Sequence, residues 1–342
     1  MSIPKAASRQ LLVSRAARES AFGGGATVDR RLLIHAPPVR PAANFLSPEP
    51  VLDGPAPADA ARATWYEGAW AWDAVRPDDL AWVLSYALGP GTSTSVDGTA
   101  TRHVILPGGA WALPSFSAEE VVAAGWQDRY TGGLLRALRL SGGPKPGSYG
   151  ITMNADVLFR ARASGSGSGS PVAGEPVWRF GQSRIWIGSA YGGTTLLGET
   201  NLSGATEMTG QWTGFSALFD NRVAPERAID FYGSTVAIPE RGTRAYDLRL
   251  SLEIANRTLL DSLIASAVQA VEIGWASGVL AGETVQEFGA HLIWPKVLPH
   301  EALARDGADG RVTVELAWRI LSDATHGPFV GVVWNRTTPY AG

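Results

Sequence analysis

At 342 residues the chain exceeds one ordinary domain, and two units of about 150–170 residues fit it better. A formal charge of −3 and a pI near 6.0 exclude the Lys/Arg excess of a protein that grips DNA, and 45% apolar with 18% charged residues exclude a disordered chain. The absence of cysteine excludes disulfides, thiol catalysis and cysteine-held zinc.

From the start of the chain, Lys5, Arg9, Arg15 and Arg18 come without an uninterrupted apolar run, so no secretory signal is expected. Ser20-Ala21-Phe22-Gly23-Gly24 follows, with glycines suited to a tight turn at positive φ. Ala36–Arg62 is rich in Pro and Ala and shows no regular pattern. Tyr66, Trp70 and Trp72 then line one face of a predicted strand. Pro77 is placed to open a helix whose apolar stripe is Leu80, Val83, Leu84, Ala87 and Leu88, and Gly89-Pro90-Gly91 ends it. Asp78 and Asp79 suit the first turn, where the helix dipole favours negative charge. Ser117-x-x-Glu120 has the form of a capping box. Leu134–Leu140 and the alternating Ile151–Ala161 read as paired strands. The Ser/Gly tract Ser164–Ser170 reads as a flexible connector.

The second half repeats this order. Ser189-Ala190-Tyr191-Gly192-Gly193 copies the first turn, and Ser203–Gly242 is a second long stretch of weak pattern. Tyr246, Leu248, Leu250, Leu252 and Ile254 alternate with polar residues, as a half-buried strand requires. Asn256 stands where an N-cap would, before Leu259, Leu260, Leu263, Ile264 and Ala267 at helical spacing. His291–Trp294 and Val312–Ile320 complete the unit. Matched pieces lie close to half a chain length apart, which predicts a mainly β fold of two tandem β-sandwich or β-barrel domains, 1–170 and 171–342, each with one short α-helix.

Candidate chemistry is sparse. The five histidines show no ligand spacing, Asp78-Asp79 and Glu119-Glu120 are explained locally, and the Gly-rich turns lack the Lys-Ser/Thr of a phosphate loop. Neither enzyme activity, nor cofactor, nor metal is expected. The longest apolar stretch, Thr258–Gly282, is broken by Asp261 and Glu272, so no membrane anchoring is expected. Phe45, Leu46, Trp212, Phe215, Leu218 and Phe219, in the two weakly patterned segments, are costly to leave in water. They are the candidate self-assembly residues.

A family resemblance comes from several pieces in order. Leu12-Val13-Ser14 runs into Arg18-Glu19-Ser20-Ala21-Phe22-Gly23; Glu67-Gly68, Asp79-Leu80-x-Trp82-Val83-Leu84-x-x-Ala87-Leu88-Gly89 and Thr101–Pro107 follow. Pro114-Ser115-Phe116-Ser117 and Arg129-Tyr130-Thr131-Gly132-Gly133 complete the set. This order resembles tail tube proteins of long-tailed bacteriophages and related particles, over the first half of the chain. The resemblance implies a virion subunit, assembled in the host cytoplasm, whose rings stack into a hollow tube around a tape-measure protein. Proteins would close the tube ends, and DNA would later pass without sequence-specific binding. Two copies per chain imply a homotrimeric, pseudo-hexameric ring, with a homohexamer as the alternative. Thirteen tryptophans keep a Trp-rich carbohydrate- or receptor-binding virion protein as the other functional reading, which needs aromatics grouped on an exposed face.

Overall fold

The computed structural model describes residues 10–34, 39–45, 62–109, 113–123, 126–145, 148–193, 196–208, 211–223, 242–254, 257–265, 267–306 and 312–336. The fold is mainly β and antiparallel, as expected.

In the first half the strands are β1 (Gln10–Val13), β2 (Arg30–Leu32), β3 (Arg40–Phe45) and β4 (Arg62–Trp72), followed by helix α1 (Pro77–Leu88). Then come the hairpin β5 (Gly91–Asp97) and β6 (Ala100–Ile105), β7 (Phe116–Ala123), β8 (Trp126–Gly142), β9 (Ile151–Phe159) and β10 (Ala161–Ser164). The second half holds β11 (Ser183–Gly188), the short β12 (Ala190–Tyr191), β13 (Leu202–Ser203) and β14 (Thr206–Glu207), then β15 (Trp212–Asp220) and β16 (Ala245–Ile254). Helix α2 (Arg257–Ile264), β17 (Gln269–Leu280), β18 (Glu287–Asp306), β19 (Val312–Ile320) and β20 (Val330–Asn335) complete it.

Pairings of the first half recur in the second. β8, 17 residues long, pairs at its start with β7 and β10 and at its end with β9; β18, 20 residues long, does the same with β17, β20 and β19. One long strand thus serves two sheets in each half. β3–β4–β9 corresponds to β15–β16–β19, and β2–β1–β7 to β14–β11–β17. The correspondence extends to register: Gly68 faces Val157 as Leu248 faces Trp318, and Trp72 faces Met153 as Leu252 faces Val314. Even the bulge is shared, at Arg136 in β8 and at His300 in β18. An extra residue there re-aims the strand as it leaves one sheet for the other.

Period-two alternation puts Trp70, Trp72, Met153, Ala155 and Val157 of the first half and Leu248, Leu250, Leu252, Val314, Leu316 and Trp318 of the second into one continuous core. Trp70, Trp82, Phe116 and Phe159 pack ring against ring with centroids 5.1–6.4 Å apart. Of the described tryptophans all but Trp126, 56% exposed, are buried. Among the described residues no exposed aromatic face therefore exists of the kind that a carbohydrate-binding reading requires.

Helix α1 starts at Pro77 and stops at Gly89 as expected, yet all of its residues are buried, including Asp78 and Asp79. Its N-terminus is capped from a distance: the Asp78 N–H donates to Glu175 Oε2 at 3.1 Å. Helix α2 is shorter than its apolar spacing predicts, ending at Ile264 before β17, and Asn256 lies outside the described residues.

Four expectations need correction. Ser117 and Glu120 belong to β7 and cap no helix; Ser117 lies on the strand with Glu119 and Glu120 buried beside it. Ser117 and Glu120 match a capping box in spacing because local spacing cannot report strand pairing. The two weakly patterned segments hide the strands β3 and β15; a bulge between Trp212 and Gly214 breaks the alternation. Ser20–Gly24 forms bends and turns well after β1, whereas Ala190–Tyr191 is a strand soon after β11, so these two segments are not structural equivalents.

The Ser/Gly tract is the fourth. Ala161–Ser164 is strand β10, and the following residues lie along β2, with Ser170 bridging Arg30 and the Gly167 N–H donating to Glu119 Oε2 at 2.7 Å. The glycines point inward and the serines outward. A Cβ on Gly167 would collide with Val28 and stand 2.9 Å from Glu119 Oε2, while one on Gly169 would stand 2.8 Å from the Arg30 backbone. Gly167→Ala is therefore expected to cost about 2 kcal/mol through overpacking. A urea melt with an unchanged midpoint would show the tract to be a connector after all.

Candidate assembly interface

Several segments that carry the family resemblance meet at Glu19. Its buried carboxylate accepts from the Gly23 N–H at 3.0 Å, the Gly132 N–H at 2.9 Å and the Ser117 hydroxyl at 2.8 Å. The Glu19 N–H donates to Ser115 O at 3.2 Å. Gly132, at φ 66°, lies where a side chain is strained, and a Cβ there would stand 2.7 Å from Arg160 Cβ. Arg160 returns over the Phe22 ring and donates to Phe22 O at 2.9 Å. The turn, the central strand β8 and the start of β7 are thus pinned by one carboxylate.

A second buried cluster ties the start of α1 to the segment between the halves. Arg30 pairs with Asp78, and with Asp79 at 3.1 Å, beside Glu175. Burial, then the Asp78 charge, pushes the Glu175 carboxyl up to about 8; burial pushes Asp79 up to about 6 against the pull of Arg30. Both acids hold their proton more tightly folded than unfolded. The stability that these two acids contribute is therefore fully present below the ordinary carboxylate range and is lost as pH rises through about 6 for Asp79 and about 8 for Glu175. Glu175→Gln is expected to remove much of that decline, making the variant more stable than the parent by ~1–2 kcal/mol at pH 8.5 and little different at pH 4.5. Parallel melts at the two pH values check it.

Glu272 and His291 form a third buried pair, with His291 Nδ1 2.6 Å from Glu272 Oε1. The same carboxylate accepts from the Asn201 N–H at 2.9 Å and side-chain amide at 2.8 Å, which anchors the loop before β13. Sequence spacing missed this pair because its members sit on adjacent strands.

The two halves meet by continuing a sheet. β8 pairs antiparallel with β15, from Ala137 opposite Asp220 to Gly142 opposite Phe215. The resulting order is β3–β4–β9–β8–β15–β16–β19–β18. Three further links reinforce the junction. The β5–β6 hairpin joins the second half through β6–β20 pairing. At its tip Asp97 accepts from the Gln286, Val285 and Thr284 N–H groups, which hold its carboxyl well below the usual range. The amide of Asn221 donates to Ala87 O at 2.9 Å and Leu135 O at 2.8 Å, and Arg244 donates to Leu88 O at 2.7 Å. The bonds to Ala87 O and Leu88 O satisfy carbonyls at the C-terminus of α1 that the helix itself leaves unpaired, and the bond to Leu135 O ties them to β8.

One face of the eight-strand sheet is polar. Arg40, Glu67, Arg136, Arg139, Asn154, Asp156, Leu218 and Asp220 line an open depression of 790 Å³ on it. Arg249 continues that face in β16, held by Asp247 at 3.1 Å and Glu315 at 3.3 Å, and Arg136 stands 3.6 Å from Glu67. Carboxylates thus accompany the Arg136 and Arg249 guanidinium groups.

The candidate self-assembly residues fall on two equivalent strands. Phe45 ends β3, Leu46 lies outside the described residues, and Trp212, Phe215, Leu218 and Phe219 lie on β15. The rings of Trp212, Phe215 and Phe219 are buried in the chain's own core, whereas Leu218 is half-buried on the polar face opposite Arg139. Their strand, β15, makes the junction with β8.

The chain matches the model of a family described as phage tail tube protein over residues 11–320. No curated protein matches it.

Proposed function

The chain belongs to the phage tail tube protein family and is a structural component of the virion tail, and on that premise we propose that it self-assembles into stacked rings forming the hollow tube through which DNA is delivered. The chain carries two copies of one folding unit, 1–170 and 171–342, and three chains make a pseudo-sixfold ring. The observation that carries this reading is the β8–β15 junction: one unit extends the sheet of the other, and the same edges recur at the two ends of the eight-strand sheet. Repetition of one head-to-tail contact closes a ring when the rotation allows it.

The polar face of the sheet lines the lumen in this reading. Guanidinium groups accompanied by carboxylates offer little for phosphates to displace, so DNA passes without being gripped. A tape-measure protein would fill the lumen during assembly, and other proteins would close the ends. Assembly takes place in the host cytoplasm.

Ring width tests the count. Three chains would set about 24 strands side by side, and at ~4.8 Å spacing with ~40° tilt the barrel would be about 48 Å across at the backbone. Six chains would roughly double that. Negative-stain electron microscopy over a concentration series should show hollow rings or tubes of the narrower width. Rings of the wider bore would overturn the trimer and leave the tube standing; particles without a bore at any concentration would sink the tube itself.

A further inference from the structure

We infer that two kinds of seam alternate around the ring: a latched seam inside each chain, and an unlatched one at which the outer edge of β18 pairs with β3 of the next copy while α2 packs on that copy's β10. The inference rests on the tube reading above and identifies the contact that closes it.

The seam inside the chain is the template. There β8 meets β15, and the outer side of α1 lies under β20 of the other half and β6 of its own. Leu84 of α1 reaches Gly331 of β20 so closely that a Cβ on that glycine would stand 3.1 Å from Leu84 Cδ1.

Each of these parts has a counterpart that is left open. β18 corresponds to β8 down to its bulge, but past Val297 it pairs only with β19 among the described residues, and Glu301, Ala302 and Leu303 are exposed. β3 corresponds to β15, yet pairs only with β4 among the described residues. At the sequence offset of β4 and β16, Leu84 and Leu88 of α1 match Ile264, the last residue of α2, and Val268, in the segment between α2 and β17. The first two are 1% and 0% exposed; the second two are 38% and 43% exposed. β10 corresponds to the buried β20 and is exposed along its whole length. Open strand edges and apolar helix positions are liabilities unless something covers them. A second copy, set on this end as the second half is set on the first, covers all of them at once.

The register follows from the template. Arg139 opposite Leu218 and Ala137 opposite Asp220 become Leu303 opposite Arg40, and Glu301 opposite Ala42, of the next copy.

The latches are not repeated. α2 leads to β17 without a hairpin, so nothing corresponds to the Asp97 lock. The positions matching Asn221 and Arg244 are Ala43 and Thr64, which lack the amide and the guanidinium. Rings therefore part between chains and not within them.

The chain has no cysteine, so an engineered pair reports on one contact. Leu303→Cys with Arg40→Cys, assembled and oxidised, should give disulfide-linked species ending at three chains on a non-reducing gel. The control Arg139→Cys with Leu218→Cys should link only within a chain. Ile264→Asp, an exposed change that leaves the circular dichroism of the monomer unaltered, should lower ring yield at least tenfold. Normal rings without cross-links would overturn the strand seam and spare the tube. Normal rings from Ile264→Asp would overturn the helix contact. Folded monomers without rings or cross-links at every concentration would overturn both the seam and the tube reading.

Discussion

Glu19→Ala is expected to lower the unfolding free energy by about 4 kcal/mol, because three donors lose their acceptor at once and each buried orphan costs ~1–3 kcal/mol. Those donors are the Gly23 and Gly132 N–H groups and the Ser117 hydroxyl. Partial relaxation towards water keeps the sum below its upper bound, since Gly23 is only half-buried. Glu19→Gln keeps one acceptor oxygen and should recover part of the loss. The check is a urea transition for both variants, read as midpoint and slope together. A Glu19→Ala midpoint equal to that of the parent would mean that water replaces the carboxylate, and the pin would then be dispensable.

That pin also marks how much the sequence could reveal. The Arg18–Gly23 turn, Pro114–Ser117 and Arg129–Gly133 were visible as separate pieces of a family pattern, and their order was enough to suggest the family. Their meeting at one carboxylate was not visible, because it depends on contacts about a hundred residues apart in the chain. The alternating strands β9, β16 and β19 were legible because one face is buried and the other wet, which writes period two directly into the residues. β15 was not, since its bulge shifts the period and Leu218 sets an apolar side chain on the polar face. The Ser/Gly tract misled for a related reason. Composition reports that such a segment cannot form a core, but it cannot report that glycines are needed for the backbone to lie flat on β2. Helix α1 misled more subtly. Its stripe and its ends were readable, whereas its burial on all sides depends on β20 and the β5–β6 hairpin arriving from elsewhere. The recurrence of strand pairings between the halves is independent of these errors, because it lies in strand order and register.

Asn221→Ala should cost about 3 kcal/mol, and its effect on assembly should exceed that on folding. The side chain is buried and makes three bonds: its amide donates to Ala87 O and Leu135 O, and its carbonyl accepts from Arg244 Nε at 2.7 Å. Truncation leaves two carbonyls and one guanidinium N–H short of a partner, at ~1–3 kcal/mol for each group that water cannot reach. The loss falls on the junction, since Ala87 and Leu135 belong to the first half and Asn221 with Arg244 to the second. β8–β15 pairing and the β5–β6 hairpin remain, so the halves should stay joined while their relative angle loosens. A closed ring tolerates little angular spread, because every seam must turn by the same amount for the last edge to meet the first. Open or irregular assemblies are therefore expected from a variant whose monomer still unfolds in one transition. Electron microscopy beside a thermal melt separates the two effects. Uniform closed rings from a destabilised Asn221→Ala chain would show that strand pairing alone sets the angle, and would remove this latch from the account of assembly.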